Sequence, residues 1–301
     1  MNTEGLQALA ALAEEAVRDA MTVVRSFAEQ PLDVETKAGG SSLASQVVTE
    51  ADCTSEEVIV DRLAPSLKEF GLALLSEERP DDGSRLTAEA FWCIDPLDGT
   101  LPFIEHRPGY AVSVALVDQQ GWPQLGVVGD PVSGDLWRGV RGAGLFRNGE
   151  TWNTSIEAAD PDAALCMFTD RSFTDLPDAD RLLAGLVGVA TRLGYRGVEA
   201  HYGAGAVMNA CAVLASPAAC YFKPPKKAEG GGCLWDYAAT ACLFAEAGRP
   251  VSDAGGKPLP LNQAESLYLN ACGVCFASDE RLALELRGLM GAGLSEDAQD
   301  Q

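Results

Sequence analysis

The sequence predicts a mixed α/β (α+β) chain built in layers of helix and sheet, from three observations. Residues 5 to 29 bring Leu6, Leu9, Leu12, Ala16, Met21, Val24 and Phe27 to one face at helical spacing. From Gly109 onward, "YAVSVALVD", "QLGVVGDPV" and "DLWRGVRG" are β-rich runs parted by turns. Strand-like and helix-like runs then alternate through the second half. The 301 residues suffice for one large or two small domains. A boundary is expected near 155–160, giving an N-terminal α+β lobe, 1–158, and a C-terminal α/β lobe, 159–301.

The remaining elements follow in order. "AGGSSLAS" reads as loop. "QVVTEADCTSEEVIVDRLA" reads as a short β-branched run into Thr49 and then a helix. "GLALLSEE" is a short apolar strand ending at Glu77 and Glu78, and "AFWCID" is a second one ending at Asp95. Asn148-Gly149 in "FRNGETWN" marks a hairpin. "GAVMNACAVLAS" reads as helix, "CYFK" as strand and "PPKKAEGGG" as loop. "WDYAATACLFAEAG" reads as helix with Gly248 just past its end. The polar tail "GLSEDAQDQ" is expected to fray.

Composition excludes several classes. Acidic residues outnumber basic ones 44 to 22, a formal charge of −22. A nucleic-acid polymer needs a basic face, so none is expected as a partner. No apolar run approaches the roughly 18–20 residues of a membrane span. The N-terminus lacks a basic leader region and carries Glu14 and Glu15, so a cytoplasmic location is expected. The acidic excess with few lysines suggests salt adaptation. Nine cysteines lie in apolar surroundings and read as reduced, buried thiols. The one CxxC, Cys272 to Cys275, has no second pair or nearby histidine to complete a zinc set. A thiol-redox role there requires an accessible, acidic thiol. Only two histidines are present, His106 and His201.

The chemistry concentrates in carboxylates. Glu77, Asp95 and Asp236 each stand at the end of an apolar run or the start of a helix, and Asp98 follows Asp95 closely. Such groups repel one another unless something pairs them, and burying them costs several kcal/mol each. A divalent cation removes both problems. An all-oxygen set without His or Cys selects a hard ion, Mg²⁺ before Zn²⁺. Pro96 stiffens the link from Asp95 to Asp98, and Gly99 admits close approach of a ligand. Thr100 can open a helix whose free N–H groups favour an anion. Read alone, "DPLDGT" also fits a turn carrying an aspartate cap, the lesser of the two readings.

Four motifs in order carry a resemblance: "VVTEAD" (Val47–Asp52), "SEE" (Ser76–Glu78), "WCIDPLDGT" (Trp92–Thr100), and "LWDYAA" (Leu234–Ala239) with "EAG" (Glu246–Gly248). The chain resembles the inositol monophosphatase superfamily of Mg²⁺-dependent, lithium-sensitive phosphatases, from about Lys37 to Gly248. That group includes inositol monophosphatases and 3′(2′),5′-bisphosphate nucleotidases. The resemblance implies a layered αβαβα sandwich, usually a homodimer, acting on a small phosphorylated metabolite. It implies two or three Mg²⁺ ions. Glu77, Asp95 and the Leu97 carbonyl hold the first, and Asp95, Asp98 and Asp236 the second. Glu77 shares a weaker third through water. It implies that Thr100, hydrogen-bonded to Asp52, orients the attacking water, with Glu77 as a further catalytic group. The Gly99 and Thr100 amides grip the phosphate, and Asp98 and Asp236 also face the substrate.

Substrate choice stays open. Leu101-Pro102 matches neither of the forms common after "DGT" in the family. The lysine that nucleotidases often carry near Asn209 is missing, as is the aspartate many members carry near Ala219. Glu229 stands seven residues before Asp236, the spacing of an inositol-contacting glutamate, and equally reads as a solvated loop residue. Lys226 and Lys227 fit either a second phosphate or a surface turn. The expected function is therefore hydrolysis of inositol monophosphate or a similar polyol phosphate. The alternative is 3′-phosphoadenosine 5′-phosphate hydrolysis. A metal or phosphate sensor without catalysis is a third reading.

Overall fold

The computed structural model describes residues 3–29, 43–152 and 163–292, with the side chains of 43–48 and 292 left aside. The chain starts with two long helices, α1 (Thr3–Ala28) and α2 (Leu43–Phe70). The apolar face expected of α1 is the one it buries: Leu6, Leu9, Ala16, Met21 and Val24 are in the core, with Leu12 and Phe27 packed against it. The strand expected before Thr49 is not there, because Val47, Val48 and Thr49 lie inside α2. Extending an existing helix by one residue is cheap once it is nucleated, and this overrides the strand preference of three β-branched residues. Lys37, where the family resemblance begins, and the polar tail from residue 293 lie outside the described residues.

A seven-stranded sheet follows in simple chain order: β1 (Ala73–Ser76), β2 (Ala90–Asp98), β3 (Ala111–Asp118), β4 (Pro123–Gly129), β5 (Leu136–Val140), β6 (Gly144–Arg147) and β7 (Glu150–Thr151). A five-residue helix, α3 (Thr100–Ile104), interrupts it between β2 and β3. The first pair is parallel and the others antiparallel. Asn148 and Gly149, with φ of 54° and 83°, make the expected two-residue hairpin turn.

The second half supplies β8 (Leu165–Thr169), α4 (Ala179–Leu193), β9 (Val198–Tyr202), α5 (Ala206–Ala215), β10 (Ala219–Lys223), α6 (Leu234–Glu246), β11 (Val251–Ser252), β12 (Val274–Ala277) and α7 (Glu280–Ala292). Its five strands form a second sheet in the order β11-β12-β10-β8-β9. Within it, β9, β8 and β10 run parallel and β12 runs against its neighbours. The change of sheet falls between Thr151 and Leu165, while the expected boundary at 158 lies outside the described residues. The end of α6 is capped as expected: Gly248 N–H donates to Ala245 O (3.1 Å) and Arg249 N–H to Phe244 O (2.9 Å).

Alternation of side chains along the strands sorts these elements into five layers. Trp92 and Ile94 share a core with α1 and α2, whereas Phe91 and Cys93 face the other way, toward α5 and α6. In the second sheet, Ala219 and Tyr221 face α5 and α6, and Cys220 and Phe222 face α4 and α7. The result is the αβαβα sandwich. The buried indole of Trp92 donates to Ser66 Oγ at 2.9 Å, which ties α2 to the first sheet. Among the described residues no helix is long and apolar enough to cross a membrane.

Candidate active site

Both sheets aim strand ends at one cleft. Glu77 follows β1, and Asp95 to Thr100 close the parallel neighbour β2. From the other sheet, β8, β9 and β10 end at Asp170, Gly203 and Lys223. All five are carboxyl ends of strands in parallel pairs, where α/β folds place ligands. Glu77, Asp98, Gly99, Thr100, Asp170, Arg171, Gly203, Lys223 and Asp236 line this cleft of about 310 Å³, within the size of small-molecule sites.

The sequence reading ended the strand at Asp95, but β2 runs on through Asp98 with a bulge. Asp95 pairs with Ser113 and Asp98 with Ala111, so Pro96 and Leu97 on β2 face the single residue Val112 on β3. Pro96 sits inside that bulge, where a missing N–H does least harm. The Leu97 N–H donates back to Asp95 Oδ1 at 3.1 Å, and the Pro96 carbonyl accepts from Ser55 Oγ at 2.9 Å.

Helix N-termini hold the other two aspartates. Asp98 accepts from Ala206 N–H (3.1 Å) and Val207 N–H (2.9 Å) at the start of α5. Gly205 makes this approach possible, because a Cβ there would lie 2.3 Å from Asp98 Oδ2. Asp236, in the first turn of α6, accepts from Cys233 N–H in a capping box. One oxygen from each of Asp95, Asp98 and Asp236 lies within 4.8 Å of the others.

These carboxylates cannot all ionise together. Burial, then the charges of Glu77 and Asp98, holds Asp95 well above the ordinary aspartate range. Burial and Asp236 do the same to Asp98, against the pull of the α5 amides. Burial with Glu78 and Glu77 raises Asp52 to about 8. Burial with Asp236 and Glu78 raises Glu77 to about 7. Asp236 is raised by burial, with the Cys233 amide and Lys223 working the other way. Asp95 Oδ2 is buried with no hydrogen-bond partner, and so is the Ser113 hydroxyl opposite it in register. A fully buried carboxylate oxygen left unpaired is costly. Convergent oxygens with one orphaned among them fit a hard divalent cation.

Leu97 is buried beside Asp95. Gly99 (φ 87°) caps α3, and Thr100 opens that helix with an exposed side chain. Asp52 is buried on α2 beside Glu77 and Glu78, and no hydrogen bond joins it to Thr100. Glu229 and Lys227 are exposed, and neither lines the cleft. Glu246, from the last motif, serves the fold: its carboxylate accepts from Gly142 N–H (3.0 Å) and Gly144 N–H (2.9 Å).

The sequence reading missed a charged group across the cleft. Lys223 Nζ meets Asp170 Oδ2 at 2.7 Å. Burial opposes the charge on Lys223, but Tyr237, Asp170 and Asp236 outweigh it and keep the ammonium above the ordinary lysine range. Burial likewise works against Asp170, and Lys223 and Ser172 pull it below the usual carboxylate range. Arg171 is next in the chain and pairs with Glu105 (2.6 Å). Beyond this pair a side pocket of about 30 Å³ is lined by Lys226, Asn270 and Gly231. The signal was available: "LCMFTD" ends an apolar strand in an aspartate, as "AFWCID" does.

The CxxC lacks the acidic thiol that a redox role requires. Cys275 is buried, which pushes its thiol up to about 12, and burial raises Cys272 as well. All nine cysteines are free.

Comparison with known proteins places this geometry. The model of the inositol monophosphatase family matches residues 5–288. A histidinol-phosphatase of Chlorobaculum parvum is 34% identical over 202 residues, covering 63% of this chain and 72% of that protein. The 3′(2′),5′-bisphosphate nucleotidase CysQ of Escherichia coli K12 is 31% identical over 244 residues, 80% of this chain and 87% of that one. An inositol monophosphatase structure from Zymomonas mobilis superposes with a TM-score of 0.72 at 24% identity, covering 95% and 98% of the two chains.

Proposed function

This chain belongs to the inositol monophosphatase family of phosphatases, and we propose that it hydrolyses a small anionic phosphomonoester in a Mg²⁺-dependent reaction. The observation that carries the metal assignment is the convergence of Asp95, Asp98 and Asp236 around an unpartnered, buried Asp95 oxygen. These three, with Glu77 and the Leu97 carbonyl, are the groups that would hold two or three ions. When bound, Mg²⁺ supplies positive charge to the phosphate and brings a water toward hydroxide near neutral pH.

The chain's own residues do the rest. Asp98 and Asp236 are fixed on helix N-termini, so they need not reorganise when the substrate arrives. Thr100 and the buried Asp52 orient the attacking water from the β2 side. The Gly99 and Thr100 amides face the phosphate. Asp170 and Lys223 take the part of the substrate that leaves.

The polyol reading rested on Glu229 and on the missing nucleotidase lysine near Asn209; Glu229 lies outside the cleft. Lys223 is inside it, and Lys226 lines the adjoining pocket. Two of the six lysines of a −22 chain thus line this cleft or the pocket beside it. That concentration favours a substrate with a second anionic group, such as 3′-phosphoadenosine 5′-phosphate, over inositol monophosphate. A cytoplasmic location is supported by nine free cysteines. A homodimer rests on the family resemblance alone, and light scattering tests it.

The deciding experiment is a phosphate-release panel. It compares 3′-phosphoadenosine 5′-phosphate, inositol 1-phosphate, fructose 1,6-bisphosphate and histidinol phosphate, with Mg²⁺, with excess EDTA and with Li⁺. Mg²⁺-dependent, Li⁺-inhibited release, fastest from the bisphosphate nucleotide, is expected. Full turnover in EDTA overturns the metal assignment, and no release from any substrate leaves the sensor reading.

A further inference from the structure

A second cluster of donor atoms lies at the far edge of the five-stranded sheet. Strands β8 and β9 run parallel, with Cys166 opposite Glu199 and Phe168 opposite His201. Residues two apart on a strand share a face, so all four side chains stand on one side of this edge. One ligand atom each from Cys166, Glu199 and His201 lies within 4.8 Å of the others. The His201 ring is stacked on Phe168, with centroids 5.0 Å apart and planes 20° from parallel. That contact sets the plane of the imidazole. The other histidine, His106, is engaged elsewhere, with Nδ1 3.1 Å from the Ala28 carbonyl.

The three groups are little committed to other partners. Cys166 is a free, half-buried thiol. The ion pair of Glu199 with Arg196 spans 3.6 Å between two exposed side chains, and such pairs contribute little. Their donor set is sulfur, nitrogen and oxygen, in contrast to the all-oxygen cluster of the cleft. Thiolate and imidazole select a borderline ion of the Zn²⁺ type over Mg²⁺. Three protein donors also match the number found in zinc sites that keep one position for solvent.

We propose that Cys166, Glu199 and His201 form a second metal site, separate from the cleft and selective for Zn²⁺-type ions. Binding exchanges the Cys166 thiol proton, released to solvent, for a metal–sulfur bond. The site joins the two strands that deliver Asp170 and Gly203 to the cleft. These strand ends are already linked by the Gly203 N–H to the Thr169 carbonyl at 3.0 Å. Occupancy therefore braces one wall of the active site from behind.

Cobalt titration of the full chain in saturating Mg²⁺ tests the proposal. One equivalent of Co²⁺ is expected to give a thiolate-to-cobalt charge-transfer band that Zn²⁺ abolishes by displacing the cobalt. The band should persist in Asp95→Asn, whose defect is confined to the cleft, and vanish in Cys166→Ser. His201→Asn, at an exposed position, should weaken Zn²⁺ binding at least about a hundredfold, beyond the usual cost of losing a supporting contact. Absence of the band at one equivalent, its survival in Cys166→Ser, or unchanged Zn²⁺ affinity in His201→Asn would each overturn the site.

Discussion

Asp95 and Asp98 are three residues apart on one strand, yet both carboxylates reach the same cluster. A regular strand would send them to opposite faces, because side chains alternate. The bulge at Pro96 and Leu97 inserts the extra residue that brings them together. Asp95 continues the face of Phe91 and Cys93, which looks toward α6 and therefore toward Asp236. Asp95→Asn keeps the shape and removes one charge shared by the whole cluster. We expect a loss of about 10²–10³ or more in kcat/KM, the scale for removing a key electrostatic group. In EDTA above pH 7 the variant should be at least as stable as the parent, since a repelling charge is gone. Activity within twofold of the parent would show that Asp95 is not at the centre of the metal cluster.

The raised carboxyls make the metal-free protein sensitive to pH in a definite direction. Asp52 and Glu77 have ordinary values of 3.8 and 4.5, and the fold raises them to about 8 and about 7. Between those limits the folded state binds more protons than the unfolded one, so stability falls as pH rises. In EDTA, Tm should decline from about pH 4 to about pH 8. Mg²⁺ should restore it most at the alkaline end, because binding requires the deprotonated groups. A metal-free Tm that rises through this window would contradict the crowding of carboxylates described above.

Much of this site was visible in the sequence because the same local signature repeats: an apolar strand that ends in an acid. Glu77 and Asp95 were found that way, whereas Asp236 opens a helix. Asp98 was expected past the strand end but lies on β2 beyond a bulge, which depends on the register with β3. Glu229 was chosen by spacing to Asp236. The loop from Pro224 to Gly232 carries it outward, while Lys223, at the end of the buried strand, stays in the cleft. The Lys223–Asp170 pair could not be read from spacing, because it forms across parallel strands whose ends meet only in the folded sheet. Val47 to Thr49 was misjudged because helix continuation outweighs a short β-branched run.

Thr100 separates water orientation from metal binding. Its side chain is exposed at the cleft, and only its backbone is part of α3. Thr100→Ala should leave Mg²⁺ affinity and Tm unchanged and lower kcat about a hundredfold, the lower range for a group that positions or accepts a proton. A matching loss of Mg²⁺ affinity, by isothermal titration, would make Thr100 a ligand instead.

Gly205 tests whether α5 must hold Asp98. Its backbone (φ −66°, ψ 172°) suits any residue, so Gly205→Ala strains nothing locally. The new methyl group would stand 2.3 Å from Asp98 Oδ2 and push the carboxylate off the Ala206 and Val207 amides. Hydrogen bonds to a charged group are worth about 1.5–3 kcal/mol each. Mg²⁺ affinity and kcat should each fall at least about tenfold. Parent-like values would mean that Asp98 works without its helix.

The cleft lysine and the loop glutamate favour different substrates. A bisphosphate nucleotide brings a second dianion past the metal cluster, toward Lys223 and the pocket that Lys226 lines. Lys223→Met alone would strand Asp170 without its partner at 2.7 Å, so the informative variant is Lys223→Met with Asp170→Asn, which removes both charges together. Losing a charge-assisted contact of about 1.5–3 kcal/mol should raise KM for 3′-phosphoadenosine 5′-phosphate roughly tenfold to a hundredfold. KM for inositol 1-phosphate should change much less. Lys226→Ala should repeat the effect in part. Glu229→Gln, on an exposed residue outside the cleft, should alter neither substrate. If the double variant spares the nucleotide and Glu229→Gln impairs inositol 1-phosphate, the substrate is a polyol phosphate, and the loop must fold back over the cleft when it binds.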